Sequence, residues 1–138
     1  LSPPLDFDKK WFANHPAYTL AKYSMSVYAW AMAEEFKDKI AFNCLWPRTG
    51  IATAAIANVL GGEEGMKRCR KPEIMADAAH AILNRPAKEC TGNFFIDDEV
   101  LAAEGVTDLD KYAYAPGHPL MPDFFVPAPG ARTVVGQG

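Results

Sequence analysis

From Asn14 to Lys39 the chain reads NHPAYTLAKYSMSVYAWAMAEEFKDK, with no glycine and no proline after Pro16. Ala, Leu, Met, Glu and Lys favour a helix here. Asn14 suits the N-cap, and Pro16 falls in the first turn, where a missing N–H costs little. Apolar residues (Leu20, Met25, Val27, Trp30, Ala31, Met32, Phe36) fall on nearly every face of the predicted helix, residues 16–37. Such a helix packs on more than one side, here against a sheet and against a further helix.

The next apolar run, IAFNCLW over 40–46, is compact and bounded by turn residues, which predicts a buried parallel strand. A loop then passes into a short helix from Thr53 that Gly61 and Gly62 stop. KPEIMADAAHAILNRP predicts a second helix, with Pro72 at its start, Glu73 and Asp77 in its early turns, and Arg85 and Pro86 at its end. TGNFFIDD predicts a second buried strand and EVLAAEG a short helix. From Tyr112 the helical period disappears. The segment 112–138 holds five of the 11 prolines and predicts an ordered, extended arm as far as Phe125, with a frayed Gly-rich end.

Helices alternating with strands through short links imply an α/β fold, a parallel sheet with helices packed on it. Two strands do not make a stable open sheet, so further strands are expected elsewhere. The expected organisation is a body over 1–111 and a Pro/Gly-rich arm of the same domain over 112–138.

With 138 residues, 49% hydrophobic and 22% charged, the chain fits one globular domain. A net charge of -3 offers no basic field for nucleic acid. The basic cluster KRCRK, 67–71, reads as a solvated surface loop. Cys44, Cys69 and Cys90 form neither a CxxC pair nor a disulfide framework, which suits a reducing, cytoplasmic setting. His15, His80 and His118 are too dispersed for a zinc site, and no apolar run has the length of a membrane span. LSPPLDFDKK has no initiator Met, basic n-region or apolar h-region, so it is not read as a signal peptide. Its first Leu-Ser pair looks like the end of a strand, SPPLDFD reads as a loop, and the chain is expected to be a piece of a larger protein.

The candidate chemistry lies at Tyr18 and Lys22. Residues four apart share one helix face. An ammonium beside a phenol favours the phenolate form, and a tyrosine so tuned exchanges a proton with a substrate oxygen. The spacing alone fits equally a packed ring and a solvated amine.

The surrounding motifs add to this. The YxxxK pair among Ala17, Ala21 and Ser24, a polar turn, and a strand ending NCLWP resemble the short-chain dehydrogenase/reductase family. SPPL, MAEEF, LWPRTGIATAA, ADAAHAIL, TGNFFID and PGHPLMPDFF are similar to its hydroxysteroid dehydrogenase-like branch and bacterial relatives, over 2–125. The resemblance implies the C-terminal half of a Rossmann-like, doubly wound parallel sheet with flanking helices. It implies NAD or NADP as cofactor, with hydride transfer to or from a small carbonyl or alcohol substrate. Tyr18 matches the catalytic tyrosine and Lys22 the catalytic lysine, and both lie by the cofactor. Leu5 stands where the family's serine is usual, and Ser2 is the candidate to orient the carbonyl. Asn43 and Pro47 match the family's turn after the strand. Arg48 replaces its usual glycine, and Ile51 and Thr53 come later than usual. Pro47, Thr49, Ile51 and Thr53 are the expected cofactor contacts, Thr53 doubling as a helix N-cap.

The family's glycine-rich pyrophosphate fingerprint is missing, and GGEEG, 61–65, has the wrong spacing. The expected function is therefore that of an NAD(P)-dependent oxidoreductase seen in part, a homodimer or homotetramer through the 16–37 helix. The alternative is a non-catalytic dimerisation or scaffold module.

Overall fold

In a computed structural model, residues 1–126 are described; the expected frayed end of the arm, 127–138, lies outside them. The described chain forms two compact units. The first contains Leu1–Trp46, Arg85–Phe95 and the segment beginning at Phe124; the second contains Pro47–Asn84 and Ile96–Asp123.

In the first unit, helix α1 spans Pro16–Glu35, with Pro16 opening it and His15 at the cap. Asn14 is not the cap. It sits at φ 68, in the left-handed region that asparagine tolerates, and turns the chain into the helix. The inward face of α1 carries Thr19, Tyr23, Ser26 and Ala33, three of them hydroxyl residues. Buried hydroxyls require acceptors, and these find them in the preceding loop. Thr19 Oγ1 donates to the Trp11 carbonyl at 2.5 Å, the Tyr23 hydroxyl to that of Asp6 at 2.5 Å, and Ser26 Oγ to that of Pro3 at 2.6 Å. The loop contributes a 3-10 turn, Lys9–Trp11, and buries Pro3, Pro4 and Leu5 against the helix unit. Leu20, Tyr28 and Trp30 on the other faces are 61%, 70% and 48% exposed, so the all-round burial expected of α1 is not met within this chain.

Strand β1, Cys44–Trp46, runs parallel to β2, Phe94–Ile96. Both are shorter than their apolar runs. Side chains take over the pairing at their starts: Thr91 Oγ1 accepts from the Phe42 amide, and Asn43 Oδ1 accepts from the Asn93 amide while its Nδ2 donates to the Cys90 carbonyl. Polar side chains of this kind compete with ladder hydrogen bonds.

The second unit holds a π-helical turn, Ile56–Leu60, then α2 (Gly62–Lys67), α3 (Glu73–Leu83), α4 (Asp97–Ala103) and a 3-10 turn, Asp110–Tyr112. Gly61 and Gly62 do not simply end a helix. Gly62, at φ 58, opens α2, which the sequence reading missed. Ile74, Ala78 and Ile82 line the buried face of α3, which packs with α4. The KRCRK segment is not a solvated loop. Cys69 is fully buried and Arg70 nearly so, and Arg70 bridges to both Ile51 and Ala113. Gly50 sits close beside it, and a Cβ there would crowd Cys69 Sγ and Met121 Cε at 3.0 Å.

Candidate active site

One turn into α1, Tyr18 and Lys22 project from the same face, as their spacing requires. The Tyr18 ring is 47% exposed. Its inner side rests on Phe125, with ring centroids 5.9 Å apart and planes 12° from parallel, and its edge meets Phe124 at 6.2 Å. The Lys22 ammonium lies 5.8 Å from the Tyr18 ring centroid and 5.6 Å from that of Trp46 at the end of β1. Two aromatic faces thus hold the cation, each such contact contributing about 0.5–1 kcal/mol where exposed. Trp46 is itself anchored by its Nε1, which donates to the Phe124 carbonyl at 2.6 Å.

Phe125 is the hub of this arrangement. It is wholly buried and its ring meets Trp11, Tyr23, Trp46 and Phe124 as well as Tyr18. Its φ of 64 lies in the left-handed region, where a bulky side chain is strained. The burial of one ring among five others offsets that strain.

Ser2 is buried. Burial pushes the Cys44 thiol up from its ordinary value, and the Ser2 and Ser26 hydroxyls partly oppose this. All three cysteines are unpaired and buried.

Pro47, Thr49, Ile51 and Thr53 all fall in the second unit, on the segment after β1. Pro47 and Thr49 are buried, Ile51 is half-buried and Thr53 is exposed. Thr49 bridges to Pro122, and the Thr53 carbonyl accepts from the Ala57 amide at 3.0 Å. Arg48 does not extend into solvent. Its Nε bonds both Asp98 oxygens, at 2.8 and 2.6 Å, and its Nη2 bonds Glu99. Burial lowers the Arg48 guanidinium, but these carboxylates outweigh it and hold the group above its ordinary value. Asp97, fully buried, accepts from the amides of Arg48 at 2.9 Å and Asp98 at 2.8 Å. Among the described residues, no cluster suits a metal ion and no helix is long and apolar enough to cross a membrane.

No family model matches the sequence. The chain is 60% identical over 126 residues to hydroxysteroid dehydrogenase-like protein 2 of Xenopus laevis, and 54% identical over 126 residues to that of Homo sapiens. The structure superposes on a short chain dehydrogenase of Mycobacterium thermoresistibile with a TM-score of 0.82 at 47% identity, covering 99% of this chain. It superposes on a candidate dehydrogenase of Xanthomonas campestris with a TM-score of 0.86 at 49% identity, covering 93% of this chain. The chain belongs to the short-chain dehydrogenase/reductase family.

It spans 30% of the length of those two curated relatives, and 49% and 47% of the two solved chains. The Rossmann-like α/β architecture and its parallel sheet agree with the sequence reading. Within this short-chain dehydrogenase/reductase chain, the sequence reading assigned no role to Phe125, Trp46 or the acidic start of α4. The adjacent acids Asp97, Asp98 and Glu99 were a visible signal for a cationic partner. Apart from its neighbour Phe124, the partners of Phe125 come from three distant stretches of chain, at Trp11, α1 and Trp46, so no local pattern marked its role.

Proposed function

We propose that this chain carries the proton-transfer half of an NAD(P)-dependent oxidoreductase acting on a small carbonyl or alcohol substrate. The observation that supports this best is the half-exposed Tyr18 with the Lys22 ammonium held beside its ring. Tyr18 gives or takes the proton at the substrate oxygen. Lys22 favours the charged form of the phenol and donates to a ribose hydroxyl, chemistry that its half-buried ammonium fits. Ser2 orients the substrate oxygen. Pro47, Thr49, Ile51 and Thr53 line the cofactor. When bound, NAD or NADP supplies or accepts the hydride. The chain acts as part of a longer protein in a reducing, cytoplasmic compartment, and the exposed Leu20, Tyr28 and Trp30 pair α1 with a second subunit in a homodimer or homotetramer.

The test is nucleotide oxidation or reduction by the full-length protein with a panel of carbonyls and alcohols. A Tyr18→Phe variant that retains full activity removes Tyr18 from the chemistry. The same exposed α1 residues also favour a second reading, a non-catalytic dimerisation module. That reading is preferred if the full-length protein binds neither NAD nor NADP but sediments as a dimer that Trp30→Glu dissociates.

A further inference from the structure

Arg48 stands where the family pattern has glycine, and its amide, its carbonyl, Nε and Nη2 are all engaged. Its amide donates to the buried Asp97 carboxylate at 2.9 Å. Its carbonyl accepts from the Asp123 amide at 3.0 Å. Its guanidinium bonds Asp98 through both carboxylate oxygens and reaches Glu99. A second guanidinium, Arg70, lies 3.6 Å from Asp98 on the other side. The arginine side chains are 28% and 10% exposed and that of Asp98 15%, so this is a largely desolvated network. Removing charges from water is costly, and such a network is weak evidence for stability as such. Its distinctive property is geometric, since charge-assisted bonds from Nε to Asp98 and from Nη2 to Glu99 hold the guanidinium at two separate nitrogens.

The network fixes the start of one segment. Arg48 immediately precedes Thr49, and the following main chain is pinned as well, Gly50 to Met121 at 2.9 Å and Ala52 to Arg70 at 2.8 Å. A glycine at 48 would lack the side-chain tie to Asp98 and Glu99. Here the first turn of α4 dictates it.

We propose that Arg48, Asp97 and Asp98 are positioning residues for the dinucleotide: they fix the main-chain path of residues 49–53 so that this segment meets the cofactor in one conformation. The inference rests on the oxidoreductase reading above. None of the three touches the reacting atoms. Their loss therefore raises the cofactor KM and leaves kcat close to that of the wild type.

The experiment uses the full-length protein with Arg48→Ala, the milder Asp98→Asn, and the exchanged pair Arg48→Asp/Asp98→Arg. NADH and NADPH are the probes, and amide hydrogen exchange over residues 48–53 is followed without cofactor. The single variants are expected to raise the cofactor KM about tenfold, the loss of one charge-assisted hydrogen bond, with kcat within about threefold. Exchange over 48–53 accelerates in both, and the exchanged pair recovers at least part of each effect. Unchanged KM, or unchanged exchange, in a soluble and folded Asp98→Asn protein overturns the proposal. An equal loss of kcat in all variants does so too, because that is the signature of general unfolding. A wild type that turns over neither nucleotide defeats the oxidoreductase reading, and the cofactor claim falls with it. A wild type that does, with variants of unchanged KM, defeats the positioning claim alone.

Discussion

The Tyr18 ring lies flat on Phe125, its centroid 5.9 Å away and its plane 12° from parallel. Removing the lower ring should loosen the upper one and the core together. Phe125→Ala is expected to destabilise the protein by about 3–5 kcal/mol, the usual cost of deleting a buried aromatic ring. Urea unfolding of the full-length protein measures this. Phe125→Gly removes the same ring but relieves the φ of 64, so it should be no worse than Phe125→Ala even though glycine costs chain entropy.

Loss of the Tyr18 hydroxyl leaves that stack intact. Tyr18→Phe should therefore remain folded, with cooperative unfolding, while lowering kcat by about 10²–10⁴, the range for a positioned proton donor. Lys22→Met should also lower kcat, and it removes the cation between the Tyr18 and Trp46 rings. Steady-state kinetics alongside thermal melts separates the two roles.

Tyr23 makes a pH-dependent contribution. Burial pushes its hydroxyl from 10.0 up to about 12, with the Asp6 amide opposing. The native state holds this proton more tightly than the unfolded one. The resulting stability is fully present below pH 10.0 and is lost as pH rises towards about 12. Tyr23→Phe should cost about 1 kcal/mol at neutral pH through the lost bond to Asp6. It should also flatten the alkaline fall in unfolding free energy. A variant with the same alkaline slope as the wild type would contradict this.

Asp97 gives a slope in the acid range. Burial raises its carboxyl above 3.8, while the Arg48 and Asp98 amides hold it back. The folded state again binds the proton more tightly. The contribution is present below 3.8 and lost as pH rises through the raised value. Asp97→Asn cannot titrate, and its carbonyl oxygen can still accept both amides. Relative to the variant, the wild-type melting temperature should therefore drop between acid and neutral pH, as differential scanning calorimetry can follow.

What the sequence disclosed follows from the range of the forces involved. Helix α1, α3 and the alternation of strand with helix are local patterns, and apolar spacing with Pro16 and Pro72 at helix starts was enough to find them. The strand ends were not legible, because Asn43 and Thr91 replace ladder bonds with side-chain bonds to residues some fifty positions away. Gly61 and Gly62 look like a helix stop in any local reading, yet Gly62 begins α2 after a π-helical turn. The candidate site divides in the same way. Tyr18 and Lys22 are neighbours along one helix, so their spacing displayed them. The support beneath them, Trp46 and Phe125, is assembled by folding, and the tie from Arg48 to Asp98 spans fifty positions.

Thr19, Tyr23 and Ser26 each donate a hydrogen bond to a main-chain carbonyl oxygen of the preceding loop. Every amino acid supplies that oxygen. Part of the loop's route is therefore written in the helix that follows it, beside the loop's own tie from Trp11 Nε1 to Asp6 Oδ2 at 2.8 Å. In divergent relatives, a hydroxyl at each of these three helix positions should accompany this path even where the letters beneath the three carbonyls change.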